Sequence, residues 1–86
     1  MDPYKILIKP KISEQTMNYI DQYNMLAFEV DRRSNKTSIK QAFEHLYDVN
    51  VVKVNTHITP KGIKVAFITL SDDDNAEDLA VKLGVF

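Results

Sequence analysis

Four cations crowd the stretch Arg32-Arg33-Ser34-Asn35-Lys36-Thr37-Ser38-Ile39-Lys40, with no acid after Asp31. Polar side chains of Ser34, Asn35, Thr37 and Ser38 stand among them. The alternating apolar residues Leu26, Phe28 and Val30 end just before this stretch, and an apolar stripe at helical spacing starts at Ile39. The cations therefore fall where a strand gives way to a helix. A helix start carries unpaired backbone N–H groups and a partial positive charge, which favour an anion. Arginine adds a planar fork for two phosphate oxygens, and lysine a movable point charge. Together they point to phosphate binding. The same spacing also suits plain solubilising charge, and residue types alone leave both readings open.

Catalytic chemistry has no comparable footing. His45 falls on the polar side of the helix and His57 on the outer face of a later strand, and there is no cysteine or serine elbow to partner either. Two histidines in separate elements do not make a convergent metal set. Asp72-Asp73-Asp74 lacks the loop glycine and twelfth-position glutamate of an EF-hand, and acids ahead of a helix are explained by its dipole. Neither glycine belongs to a phosphate-cradling loop. No catalytic residue, metal or cofactor is expected.

The elements that must position the cations are legible in the periodicity. Tyr4 to Ile8 reads as a short strand ended by Pro10, since proline donates nothing to a ladder. Ser13 reads as a helix N-cap, with Ile12 and Met17 spaced as a hydrophobic staple. Met17 and Ile20 continue that helix to about Tyr23. Met25 to Asp31 alternates as a second strand. Ile39, Ala42, Phe43, Leu46 and Tyr47 form one helical stripe, capped by Thr37 or Asn35, with Thr37 preferred. Val49 to Thr59 is rich in β-branched residues, with Val52, Val54, Thr56 and Ile58 on one face and Val51, Lys53, Asn55 and His57 on the other. Thr59-Pro60-Lys61-Gly62 is a turn, and Ile63 to Leu70 returns as a mostly apolar strand, covered on both faces. A last helix over about Ala76 to Leu83 follows a cap at Asn75, with Gly84 as its C′ residue. The order β-α-β-α-β-β-α predicts an α+β fold, a sandwich on a four-stranded, mainly antiparallel sheet.

With 86 residues, 44% of them hydrophobic and 27% charged, the chain has the make-up of one folded domain, 1–86. The absence of cysteine excludes a disulfide framework. Met1-Asp2-Pro3-Tyr4 lacks the basic-then-apolar pattern of a signal peptide, and no apolar run reaches bilayer length, so a cytoplasmic protein without membrane insertion is expected.

A net charge of −1 argues against a polyanion partner until it is divided along the chain. Residues 71–86 hold five acids (Asp72, Asp73, Asp74, Glu77, Asp78) against Lys82, leaving seven acids against ten bases in the rest. A basic body with an acidic tail meets a polyanion if the tail faces away. Phe28, Phe43 and Phe67 fit core positions, Tyr4, Tyr19 and Tyr23 partly exposed ones, and no strand interleaves aromatic and basic residues as a single-strand RNA-binding sheet does. An RNA partner would be held by backbone and shape, through Arg32, Arg33, Lys36 and Lys40. Lys9, Lys11, Lys53, Asn55, Lys61 and Lys64 would extend that surface, Asn55 offering a bond to a base edge or ribose hydroxyl.

In this setting the chain resembles the large-subunit ribosomal protein twenty-three family, over about Pro10 to Phe86. The resemblance is carried by Ile12-Ser13-Glu14, Phe28-Glu29-Val30, Asn35-Lys36-Thr37 with Ile39-Lys40, Tyr47-Asp48-Val49, Val54-Asn55-Thr56 and the archaeal-type ending Leu83-Gly84-Val85-Phe86. It implies a three-layer α/β/α sandwich and a structural, non-enzymatic role in the cytoplasmic ribosome. It further implies contact with large-subunit ribosomal RNA and neighbouring ribosomal proteins, and a surface at the peptide tunnel exit where signal recognition particle or nascent-chain chaperones dock. The basic junction, with Asn35 and Thr37, and the strand with Asn55 and Thr56 fall where family members contact RNA. Glu14 falls in the family's serine-glutamate element, associated in bacterial members with chaperone docking, but Gln15 replaces the usual lysine after it. The turn at Pro60 is too short to line a tunnel. Composition alone also permits a free-standing ferredoxin-like module that binds a protein or metabolite.

Overall fold

The computed structural model describes residues 3–85, with side chains from Lys5 onward; the Tyr4 side chain and Phe86 lie outside the described residues. Four strands form one antiparallel sheet: β1 (Leu7–Pro10), β2 (Met25–Val30), β3 (Val51–Ile58) and β4 (Lys64–Leu70), in the spatial order β1-β2-β4-β3. The helices are α1 (Pro3–Ile6), α2 (Glu14–Tyr23), α3 (Lys36–Tyr47) and α4 (Ala76–Lys82). The fold is α+β with the expected β-α-β-α-β-β-α order, preceded by one helical turn.

That turn is the first correction. The apolar run Tyr4 to Ile8 predicts a strand, but Pro3–Ile6 is helical and the strand starts at Leu7. Ile6 and Leu7 are both buried, which simple alternation along one strand forbids and a helix-to-strand junction allows. Proline also suits a first helical turn, where its missing N–H costs nothing. Pro10 closes β1 on the sheet edge, opposite Phe28.

Helices cover both faces of the sheet. Phe28 on β2 meets Phe43 of α3 edge-on, with ring centroids 5.4 Å apart. Phe67 on β4 follows Ala66, the partner of Phe28, and so points to the opposite face. There it meets Tyr19 of α2 at 5.8 Å. Central β4 is covered on both sides, with Val65, Ala66, Ile68 and Leu70 all buried. Phe67 is only half-buried, however, and does not belong to the core beside Phe28 and Phe43.

The third strand departs from simple alternation. Its pairing with β4 shifts between Val51 and Lys53, a bulge at Val52. Val51 and Val54 are thus both buried, while Val52 is 62% exposed. The expected face of Val52, Val54, Thr56 and Ile58 is broken at its first member, and Ile58 is also exposed.

Asn24 joins α2 to α4. It adopts the left-handed conformation (φ 54°) as the α2 C-cap. Its Nδ2 donates to the carbonyl oxygens of Leu70, Ser71 and Asp74, and its Oδ1 accepts from the Ala76 N–H at 2.7 Å. One amide side chain thereby fixes where the acidic C-terminal segment leaves the sheet.

Candidate functional site

The β2–α3 junction is built by its cap. Asn35 Oδ1 accepts from the Ser38 N–H at 2.7 Å, and Ser38 Oγ accepts from the Asn35 N–H at 3.0 Å. Asn35, not Thr37, is therefore the N-cap. Asn35 and Ser38 complete a reciprocal capping box, whereas Thr37 would find Lys40 three residues on, which has no acceptor to complete one. Thr37 stands exposed in the first turn. The Lys36 and Thr37 N–H groups have no protein acceptor among the described residues, as helix starts leave them.

The β3–β4 turn brings further cations to the same end of the sheet. Val30 pairs with Lys64, whose ammonium donates to the Ser34 carbonyl oxygen. Gly62 N–H closes the turn onto the Thr59 carbonyl at 2.8 Å, with φ +82°. A Cβ at Gly62 would lie 3.7 Å from Arg32 Nη1, so the Arg32 guanidinium rests over this turn, next to Lys61. The Asp31 N–H donates to the Ile6 carbonyl at 2.8 Å, which brings the α1–β1 corner, and with it Lys5, to this end as well. Lys5 was not foreseen as a site residue, because nothing local in the sequence marks a helical turn there.

Little of this charge is neutralised internally. Among the described residues two ion pairs form, Arg33 Nε with Asp31 and Lys9 Nζ with Glu29, each at 3.5 Å. The Arg33 backbone N–H donates to Asp31 Oδ1 at 2.8 Å, and this bond, reinforced by the Arg33 side chain, holds the Asp31 carboxyl below its ordinary value. Arg32, Lys36, Lys40 and Lys61 have no acidic partner among the described residues. The acidic segment leaves from the opposite end of β4, where Asp74 Oδ2 accepts from the Asn50 N–H at 2.8 Å. The seven residues of β4 separate the two ends by about 20 Å, roughly two screening lengths in physiological salt.

The expected site residues fall into three groups. Arg32, Arg33, Asn35, Lys36, Thr37, Lys61 and Lys64 meet at the basic end, with Lys40 one helical turn further along α3. Lys9 and Lys11 lie at the β1 edge, and Lys9 is engaged by Glu29. Lys53 and Asn55 are exposed on β3 at the other edge, on the face of Phe67, whereas half-buried Thr56 faces α3. Glu14 is exposed at the first position of α2. Among the described residues no three His, Cys, Asp or Glu side chains group as a metal would require, and no helix is long and apolar enough to cross a membrane.

Fold and surface together define a small α+β domain with its charge separated between the two ends of one sheet. The chain belongs to the ribosomal protein L23 family, whose model matches residues 5–78. It is similar over its full 86 residues to proteins named large ribosomal subunit protein uL23: 59% identical in Methanosphaera stadtmanae, 57% in Methanobrevibacter smithii and 54% in Methanothermobacter thermautotrophicus. Each comparison also covers the whole of the relative.

Proposed function

We propose that residues 1–86 act as one RNA-binding domain that anchors the chain to large-subunit ribosomal RNA through the basic end of the sheet. As a family member the chain is a structural, non-enzymatic constituent of the large ribosomal subunit in the cytoplasm, associated with ribosomal RNA and neighbouring ribosomal proteins. The observation that carries the RNA surface is the gathering of Arg32, Arg33, Lys36, Lys61 and Lys64 around the open start of α3, about 20 Å from the acidic segment. Phosphates suit this arrangement, since two guanidinium groups and the unpaired N–H groups of a helix start lie at the same end of the sheet. Lys40, Asn35 and Thr37 border it, and Lys9, Lys11, Lys53, Asn55 and Thr56 contribute from the two edges.

The domain also offers a docking surface near the peptide tunnel exit, with Glu14 as a contact for signal recognition particle or a nascent-chain chaperone. Its exposure and lack of an ion pair among the described residues support that role. The tight turn over Thr59 to Gly62 supports no tunnel-lining one.

Cosedimentation tests the reading. The purified chain should remain with large subunits after a moderate-salt wash, and nucleotides near the basic end should be protected in a footprint. A chain that washes off and leaves no footprint would instead be a free-standing binding module.

A further inference from the structure

The outer face of β3 and β4 carries a feature that the basic end does not explain. Cross-strand register sets Lys53 beside Thr69, Asn55 beside Phe67 and His57 beside Val65. The His57 ring stacks on Phe67 with centroids 5.3 Å apart and planes inclined by 27°. From α2, Tyr19 abuts Phe67, and Tyr23 lies 5.9 Å from Tyr19. Tyr19, Tyr23, Met25, Asn55 and Phe67 enclose an open dish of about 360 Å³. Tyr23 is 57% exposed, Asn55 and His57 are exposed, and α2 roofs only one side. No single strand shows this pattern in sequence; it exists only once β3, β4 and α2 are assembled.

We propose that this dish holds an unpaired RNA base, stacked on the Phe67 and Tyr23 rings, with its polar edge met by Asn55 and an adjacent phosphate by Lys53. The inference rests on RNA being the partner and adds a second mode of contact to the phosphate binding of the basic end. Three features on this face favour a nucleotide over an apolar protein segment. The His57 and Phe67 rings lie on neighbouring antiparallel strands of one sheet face, and Tyr23 adds a ring from α2, so a splayed base finds aromatic faces there. The rim offers an amide with both donor and acceptor, suited to a base edge. Lys53 supplies positive charge two positions from Asn55 on the same face, whereas no acid stands on β3 or β4.

The test uses the full chain with a hexamer of adenosine RNA and an abasic hexamer of identical backbone. Base stacking is sequence-tolerant, so adenosine serves as the probe. Ring-proton shifts at Tyr19, Tyr23, Phe67 and His57 are expected with the adenosine hexamer and not with the abasic one. Tyr23→Ala, on an exposed helix surface, should weaken the hexamer about ten-fold without changing the salt dependence, and Phe67→Leu should do the same while keeping an apolar side chain. Equal shifts with the abasic hexamer, or no weakening in either variant, would overturn the proposal. In large subunits assembled with a photoreactive benzoyl-phenylalanine in place of Tyr23, the adduct should be to RNA, and a protein adduct would equally overturn it. If basic-end replacements leave RNA binding intact while the base-dependent shifts persist, the earlier reading fails and this one stands. Normal cosedimentation without such shifts gives the converse.

Discussion

The Lys64 ammonium donates to the carbonyl oxygen of Ser34, thirty positions earlier in the chain. This bond ties the start of β4 to the β2–α3 junction and holds two groups of cations at one end of the sheet. Lys64→Met keeps the aliphatic stem but loses the donor. It should cost about 1 kcal/mol in urea unfolding, and RNA affinity should fall by more than the loss of one charge explains, because the two groups are no longer held together.

Asn24 is the corresponding tie at the acidic end. Asn24→Ala loses four hydrogen bonds and places an ordinary Cβ residue at φ 54°. A destabilisation of roughly 2–4 kcal/mol is expected, with amide exchange in α4 accelerating before that in β4. Equal acceleration in both elements would mean that Asn24 is not a local hinge for the segment.

The choice of helix cap is testable by a pair of variants. Asn35→Ala should lose about 1 kcal/mol, while Thr37→Ala should stay within about 0.5 kcal/mol of the native chain. The reverse order in thermal or denaturant unfolding would restore Thr37 as the cap.

Acid sensitivity should trace in part to Asp31. Donors from Arg33 keep its carboxyl below the ordinary value of 3.8 in the folded chain. A carboxylate with a lower pKa folded than unfolded stabilises the fold above the unfolded value, and that contribution is lost as pH falls through the folded one. Below about pH 4 the native chain should therefore lose stability more steeply than Asp31→Asn, with the two curves parallel near neutrality. Parallel curves throughout the acid range would mean that the Arg33 contacts do not persist in solution.

The extents of β2, β3 and β4, the two longer helices and the Ser13 and Asn75 caps were legible because each follows from nearest neighbours on the chain. The same holds for the cations of the β2–α3 junction, which are adjacent in sequence. What stayed hidden depends on partners distant in sequence. The helical turn at Pro3–Ile6 is held by a bond from Asp31, and the Val52 bulge is set by register against β4. Thr37 and Asn35 both carry the side-chain oxygen a cap uses, and only the reciprocal bonds with Ser38 in the folded chain decide for Asn35. Phe67 reads as core by type, but its face is fixed by the pairing of Ala66 with Phe28.

The proposed RNA contact depends on local positive potential at one end of the sheet outweighing the net charge of −1. The most direct test compares the native chain with Arg32→Ala/Arg33→Ala/Lys36→Ala on large-subunit RNA across a salt series, with circular dichroism to verify the fold. Lost phosphate contacts should lower affinity and shrink the slope of log K against log salt by about two to three. An unchanged slope and affinity in a folded triple variant would contradict the account.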